Sequence, residues 1–145
     1  MIILDTNIVS EMMKTAASRT VLDWLNIQDA GSLYLTTITI AEIDYGLRLL
    51  PDGQRRRLLT ERFNLFVARA FDQRILNFDE ASAHAYGDIM GHRKELGRPI
   101  SVTDGQIAAI AKTNGFSIAT RNIKDFDDSQ IMLINPFQPL GSSLT

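Results

Sequence analysis

The chain has 145 residues, 45% hydrophobic and 22% charged, with a formal net charge of −2, the balance of one folded globule and not of a disordered or fibrous chain. With 0 Cys and 2 His, it cannot hold a disulfide framework, a thiol nucleophile, an iron–sulfur cluster or a three-histidine metal site. A pI of about 5.6 leaves nucleic-acid binding to a local basic patch or a metal ion, because bulk charge does not favour it.

No apolar run reaches the ~20 residues of a membrane span. The start, Met1 to Asp5, lacks the basic segment of a signal peptide. A cytoplasmic chain with no membrane contact is therefore expected. Met1 to Leu4 is apolar on both faces, as buried parallel strands are. Ile8, Val9, Met12 and Met13 then show helical spacing, with Thr6 or Asn7 as N-cap. Ser18 caps a second helix that buries Val21, Leu22, Trp24 and Leu25, and Asp29 to Ser32 is a turn. Leu33 to Thr36 is a second strand.

Thr37 to Leu50 reads as a helix with Ile40, Ile43, Leu47 and Leu50 along one stripe, and Thr39-x-x-Glu42 as a capping box. Glu42, Tyr45, Gly46 and Leu49 form a second stripe. A glycine inside a helix costs up to ~1 kcal/mol, which predicts close packing against that side. Gln54 to Arg69 reads as another helix and Ile75 to Phe78 as a third strand. Asp79 caps a helix to about Leu96; Ser101 or Thr103 starts one that ends at Asn114-Gly115. Ser117 to Thr120 and Ile131 to Ile134 are the last strands. Strands alternating with helices predict an α/β fold, a parallel sheet of about five strands covered by helices on both faces. In such sheets chemistry gathers outside the carboxyl ends of the strands, which directs attention to Asp5, Thr36 and Thr37, Asp79, and Thr120 to Asp127.

Acids fall repeatedly at strand ends and helix starts: Asp5 after the first strand, Glu42 early in its helix, Asp104 opening another, and Asp125 and Asp127 after the fourth strand. Taken singly, each has a local role available, as a cap, a helix-dipole partner or a surface turn acid. Together they would crowd one edge of the sheet, and crowded carboxylates repel unless a cation joins them. Hard oxygen donors without Cys suit Mg²⁺ or Mn²⁺, and such ions activate water at a phosphodiester.

Ile3-Leu4-Asp5-Thr6-Asn7, Ala41-Glu42 with Gly46, Asp104 ahead of Ile107-Ala108-Ala109, and Thr120-Arg121-Asn122 before Asp125-Phe126 occur in that order. The set resembles a PIN domain. More narrowly, it is similar to the VapC-type ribonuclease toxins of bacterial toxin–antitoxin pairs, in the branch related to trafficking protein B. The resemblance covers residues 1–136 and leaves 137–145 as a polar tail. It implies a three-layer α/β/α sandwich, a homodimer, Mg²⁺- or Mn²⁺-dependent cleavage of RNA, and a small cognate antitoxin that covers the active site. Operator DNA would be bound only through that antitoxin. The resemblance assigns Asp5, Glu42 and Asp104 as catalytic and metal-ligating acids. The hydroxyl positions map to Thr6 and to Ser101 or Thr103, with Asn7 in support. Many PIN domains carry a fourth acid where this chain has Asn122, so Asp125 is the nearest substitute as a metal ligand.

Arg55, Arg56 and Arg57 lie in the most arginine-rich third of the chain and are candidates for RNA contact; an ordinary solvated helix face is the alternative. His84, Asp88 and His92 recur every fourth residue, but two helical turns span ~12 Å, too far for one ion. Two other functions stay open at this level. One is a non-catalytic metal-binding subunit of a DNA-binding repressor. The other is an aspartate-nucleophile phosphohydrolase, against which Asn7 stands where a second Asp is needed.

Overall fold

The computed structural model of the chain describes residues 1–127 and 129–139. Its strands are β1 (Ile2–Leu4), β2 (Leu33–Thr36), β3 (Ile75–Leu76), β4 (Ser117–Ala119) and β5 (Leu133–Ile134). They form one sheet in the order β3-β2-β1-β4-β5, with every neighbouring pair parallel. The helices are α1 (Thr6–Met12), α2 (Arg19–Ile27), α3 (Thr37–Arg48), α4 (Gln54–Phe66), α5 (Glu80–Glu95), α6 (Val102–Asn114) and α7 (Ile123–Phe126). This is the α/β architecture the alternation of elements predicts.

Side chains alternate across a strand, and the two faces fill accordingly. Leu4, Leu33, Leu35 and Ala119 point into a core with Ile8, Val21, Trp24, Ile43 and Phe63, from α1 to α4. Ile3 and Ile118 point the other way, into a core with Ile89, Ile107, Ile110 and Phe126, from α5 to α7. Both faces of β1 are thus covered, as its uninterrupted apolar run requires. The register sets Ile3 beside Tyr34 and Ile118, and Leu4 beside Ala119. The carboxyl ends of β2, β1 and β4 therefore come out side by side, at Thr36, Asp5 and Thr120.

Several local expectations are corrected. The cap of α1 is Asp5, not Thr6 or Asn7, because its extended backbone lets the carboxylate accept from the Thr6 N–H. The cap of α3 is Thr36, which accepts from the Thr39 N–H at 3.1 Å; the Thr39–Glu42 capping box does not form. The helix expected over Gln54 to Arg69 turns π-helical at Val67–Phe71, which brings Phe71 edge-on to Phe66 at 5.3 Å. Only Ile75–Leu76 and Leu133–Ile134 of the third and fifth strand segments pair. Among the described residues nothing lies within 4 Å of where a Cβ on Gly46 would stand, so the close packing expected at that glycine is not found. The glycine that close packing does require is Gly105: a Cβ there would sit 2.5 Å from Met90 Sδ and 3.0 Å from Tyr86 Cε2, between α6 and α5.

Phe137 packs against the core on the α1–α4 side; residues 140–145 of the expected polar tail lie outside the described residues. Among the described residues no helix is long and apolar enough to cross a membrane.

Candidate active site

β1 ends one residue before Asp5, whose N–H still reaches Ala119 O at 2.9 Å and extends the ladder by one step. The Asp5 side chain is 3% exposed. One carboxylate oxygen accepts from the Thr6 N–H at 2.8 Å; the other accepts from Thr120 Oγ1 at 2.8 Å and Asn7 Nδ2 at 3.2 Å. Burial pushes this carboxyl up to about 6; the hydrogen bonds from Thr120 and Thr6 oppose the shift, and repulsion from Asp104 and Glu42 adds to it.

Asp104 stands in the first turn of α6. Ser101 caps that helix by accepting from the Asp104 N–H at 3.2 Å. Burial raises the Asp104 carboxyl above the usual range, a hydrogen bond with Ser101 opposes this, and Asp125 and Glu42 add repulsion. Glu42 is the third acid, on α3. Thr6 Oγ1 donates to its Oε1 at 2.7 Å. With that proton committed, Thr39 Oγ1 donates to Thr6 at 3.0 Å, and Thr36 Oγ1 stands behind Thr39 at 3.5 Å. Thr36 and Thr39 are fully buried, so a chain of hydroxyls fixes Glu42 from within the fold.

Asp5, Glu42 and Asp104 line one cleft of about 410 Å³ together with Thr6, Asn7 and Asn122. Among the described residues none of the three acids is in an ion pair. The donor set fits a hard divalent cation: anionic oxygens, mutually repelling, one of them buried with its carboxyl held near 6, and no cation paired with them. Among the described residues no three acids already stand at ligand spacing, so closing on an ion requires side-chain movement.

The remaining sequence candidates fall outside this cleft. Ser101 is exposed and acts as the cap of α6; Thr103 lies inside the helix and does not cap it. Asp125, on α7, is near enough to Asp104 to repel it but does not line the cleft. Of the three arginines, Arg55 lines an adjoining groove with Arg62, whereas Arg56 and Arg57 line neither space. Asp79, at the edge of the sheet, caps α5 by accepting from the Ser82 N–H at 2.9 Å. His84 faces Glu80 at 3.9 Å, and no metal group forms on α5 among the described residues.

Sequence reasoning missed Thr120, Thr39, Glu11, Lys14 and the Arg121 side chain as parts of the site. Thr120 lies within the flagged strand-end window, but only pairing of β4 with β1 identifies its partner. Two further features complete the surroundings. The adjoining groove, of about 740 Å³, meets the cleft at Thr6, Lys14 and Glu42 and is lined by Met13, Ile43, Leu47, Leu58 and Leu59. Tyr45, Leu49 and Leu58 leave more than half of their surface exposed.

The family model for the PIN domain matches residues 2–129. Over 139 residues the chain is 40% identical to VapC ribonuclease Y4jK of Sinorhizobium fredii, which covers 96% of this chain and 99% of that protein. It is 36% identical to Toxin FitB of Neisseria gonorrhoeae over 137 residues, 94% of this chain and 99% of that protein. The solved structure of FitAB bound to an IR36 DNA fragment is similar with a TM-score of 0.89 at 36% identity, covering 95% of this chain and 96% of that one.

Proposed function

Because this chain belongs to the PIN domain family, we propose that it is the ribonuclease toxin of a toxin–antitoxin pair, and that it cleaves RNA in the cleft of Asp5, Glu42 and Asp104 with a divalent cation. The observation that carries this reading is the convergence of three acids from β1, α3 and α6 in one cleft with no paired cation among the described residues. The names of its relatives, a VapC ribonuclease and a toxin, support the reaction class. Asp5, Glu42 and Asp104 would hold Mg²⁺ or Mn²⁺, which when bound supplies a water of lowered pKa and charge stabilisation at a phosphodiester.

The chain's own residues prepare that seat. Thr120, Asn7 and the Thr6 N–H hold the Asp5 carboxylate and aim it into the cleft. Thr6, backed by Thr39, does the same for Glu42. Asn122 offers a neutral amide at the cleft edge where a fourth carboxylate would add charge. Asp125 remains a reserve ligand that α7 holds near Asp104. Arg55 and Arg62, in the groove that meets the cleft, are placed to attract RNA; Arg56 and Arg57 would contribute only long-range field.

The partner in this reading is a small cognate antitoxin. The apolar groove beside Glu42, flanked by exposed Tyr45, Leu49 and Leu58, suits an amphipathic segment that ends with a cation in the acidic cleft. Such a cation would compete directly with the metal. The complex would bind operator DNA through the antitoxin, as supported by the similar FitAB structure bound to a DNA fragment, and the toxin would work as a homodimer.

The test is cleavage of RNA by the purified protein in Mn²⁺ and in EDTA. Cleavage in Mn²⁺, lost in EDTA and lost in Asp5→Asn, is the expected result. Cleavage that persists in EDTA overturns the metal-dependent reading, and no cleavage in either condition favours the binding-subunit alternative.

A further inference from the structure

Glu11 is a buried carboxylate that the proposed chemistry does not use. It lies on α1, nearly two turns beyond Asp5, and is 6% exposed. Its Oε2 accepts from the Ser18 N–H at 3.1 Å and its Oε1 from Lys14 Nζ at 3.2 Å. Burial works to raise this carboxyl, but the bonds from Ser18 and Lys14 and the nearby charge of Arg121 more than offset it, so it stays below the usual range. Arg121 is also tied down: its N–H donates to Asn7 Oδ1 at 3.2 Å, and its guanidinium lies 4.4 Å from the centre of the Phe137 ring.

Lys14 and Arg121 line the acidic cleft, and among the described residues no other lysine or arginine does. Acids occupy one part of that cleft and two cations another: Lys14 pairs with Glu11 and Arg121 lies over Phe137, and among the described residues neither is in an ion pair with Asp5, Glu42 or Asp104. This separation has a physical use. A flexible ammonium or guanidinium next to three unpaired acids would otherwise settle on them and occupy the cation seat. Two cations around one anion leave a net positive wall, on a protein whose whole charge repels a polyanion.

We propose that Lys14 and Arg121 form a phosphate subsite that grips the RNA backbone beside the acids, with Glu11 as the positioning residue that holds Lys14 on the rim. This assignment rests on the ribonuclease reading of the cleft and deepens it. It names the bound group, a backbone phosphate next to the one attacked, and it separates grip from chemistry.

The experiment is a fluorescence-anisotropy titration of a fluorescein-labelled single-stranded RNA oligonucleotide, in Ca²⁺, repeated over a range of KCl concentrations, with Mn²⁺ cleavage assayed in parallel. Lys14→Gln and Arg121→Gln are both at exposed positions, and a thermal melt of each variant checks that it is folded. Each is expected to weaken binding about threefold or more, and to flatten the plot of log affinity against log salt by ~0.7 per lost phosphate contact. Lys112→Gln, near the far end of α6 from Asp104, is expected to change neither. Wild-type affinity and slope in both cleft variants would overturn the subsite, as would a wild-type protein that binds no RNA. A wild-type protein that binds RNA but cleaves none, with the variants still losing affinity, would sink the ribonuclease reading and leave the subsite standing. For Glu11→Gln, the Mn²⁺ concentration at half saturation should rise severalfold, because the released Lys14 ammonium turns to the acids. Unchanged Mn²⁺ binding would remove Glu11 from the positioning role.

Discussion

Thr120 Oγ1 donates to Asp5 Oδ2 at 2.8 Å, although 115 positions separate the two residues in sequence. The bond exists because β4 pairs with β1 and sets Ala119 beside Leu4, so the next residue of each strand meets the other. The same hydroxyl oxygen accepts from the Asn122 N–H at 3.0 Å, which orients its proton toward the carboxylate. Thr120 therefore determines where the most buried acid of the cleft points.

Thr120→Val removes that donor and leaves the carboxylate less satisfied. A hydrogen bond to a charged buried group contributes about 1.5–3 kcal/mol, so urea melts at pH 7 should show a loss of that size. Loss of an outer-shell partner typically costs about 10–100-fold in metal affinity, and calorimetry with Mn²⁺ should show it. Thr120→Ser keeps the hydroxyl and should restore both. A serine variant as weak as the valine variant would mean that the methyl group, not the hydroxyl, matters.

Stability without metal should fall as pH rises from 4 to 7. The Asp5 carboxyl is pushed up to about 6 in the folded state from an ordinary aspartate value of 3.8, so the folded chain holds that proton more tightly than the unfolded one. Its stabilising effect is complete below the unfolded pKa and is lost as pH rises through about 6, a difference on the order of 3 kcal/mol. Asp104, also raised, acts in the same direction. Thermal melts in EDTA should show the decline in wild type and a much flatter profile in Asp5→Asn. A wild-type melting temperature that does not change from pH 4.5 to 7.5 would contradict the burial of an unpaired Asp5. Added Mn²⁺ should raise stability most at the alkaline end, where the acids are ionised and bind it.

Asp5→Asn and Asp104→Asn should each abolish RNA cleavage and growth inhibition while the chain stays folded. The amide keeps the shape but withdraws one negative oxygen from the proposed cation seat. In EDTA at pH 7 the Asp5 variant should melt at or above the wild-type temperature, because a repelled, buried charge has gone. Retained cleavage in either purified variant removes that residue from the chemistry. A large drop in melting temperature would instead assign it to capping alone.

Asn122→Asp adds a carboxylate to a position that lines the cleft. One more anionic ligand should tighten Mn²⁺ binding, and one more like charge should lower stability in EDTA. Calorimetry reads the first effect and melting the second. The two must move in opposite directions; a change in neither would place the side chain away from the acids.

What was legible in the sequence was local. The apolar run of β1 followed by Asp5, the Ser18 and Asp79 caps, and the Asn114-Gly115 stop each need only a few neighbours, since hydrogen bonds to adjacent N–H groups and a left-handed glycine (φ 69°) act within a turn. The alternation of strands and helices was enough to predict a parallel sheet and the edge where acids should gather. Local patterns also misled. Thr39 and Glu42 have the spacing of a capping box, but Thr36 starts the helix one turn earlier, which frees both side chains for the cleft. Gly46 has no close neighbour among the described residues, whereas Gly105 carries the close packing unannounced.

Residue order alone dictates which segments are apolar enough to pair as buried strands, and which acids stand at strand ends and helix starts. Which of those acids meet depends on how the strands pair and the helices pack. Strand order and register bring Asp5 and Thr120 together and leave Asp79 at the sheet edge. The fold of α3 and α6 over the carboxyl ends adds Glu42 and Asp104, and leaves Asp125 and Arg55 to Arg57 outside the cleft. It also brings Arg121 to the cleft that Lys14 and Glu11 line. Such meetings depend on distances of a few ångströms between residues tens of positions apart, and no short-range spacing in the chain encodes them.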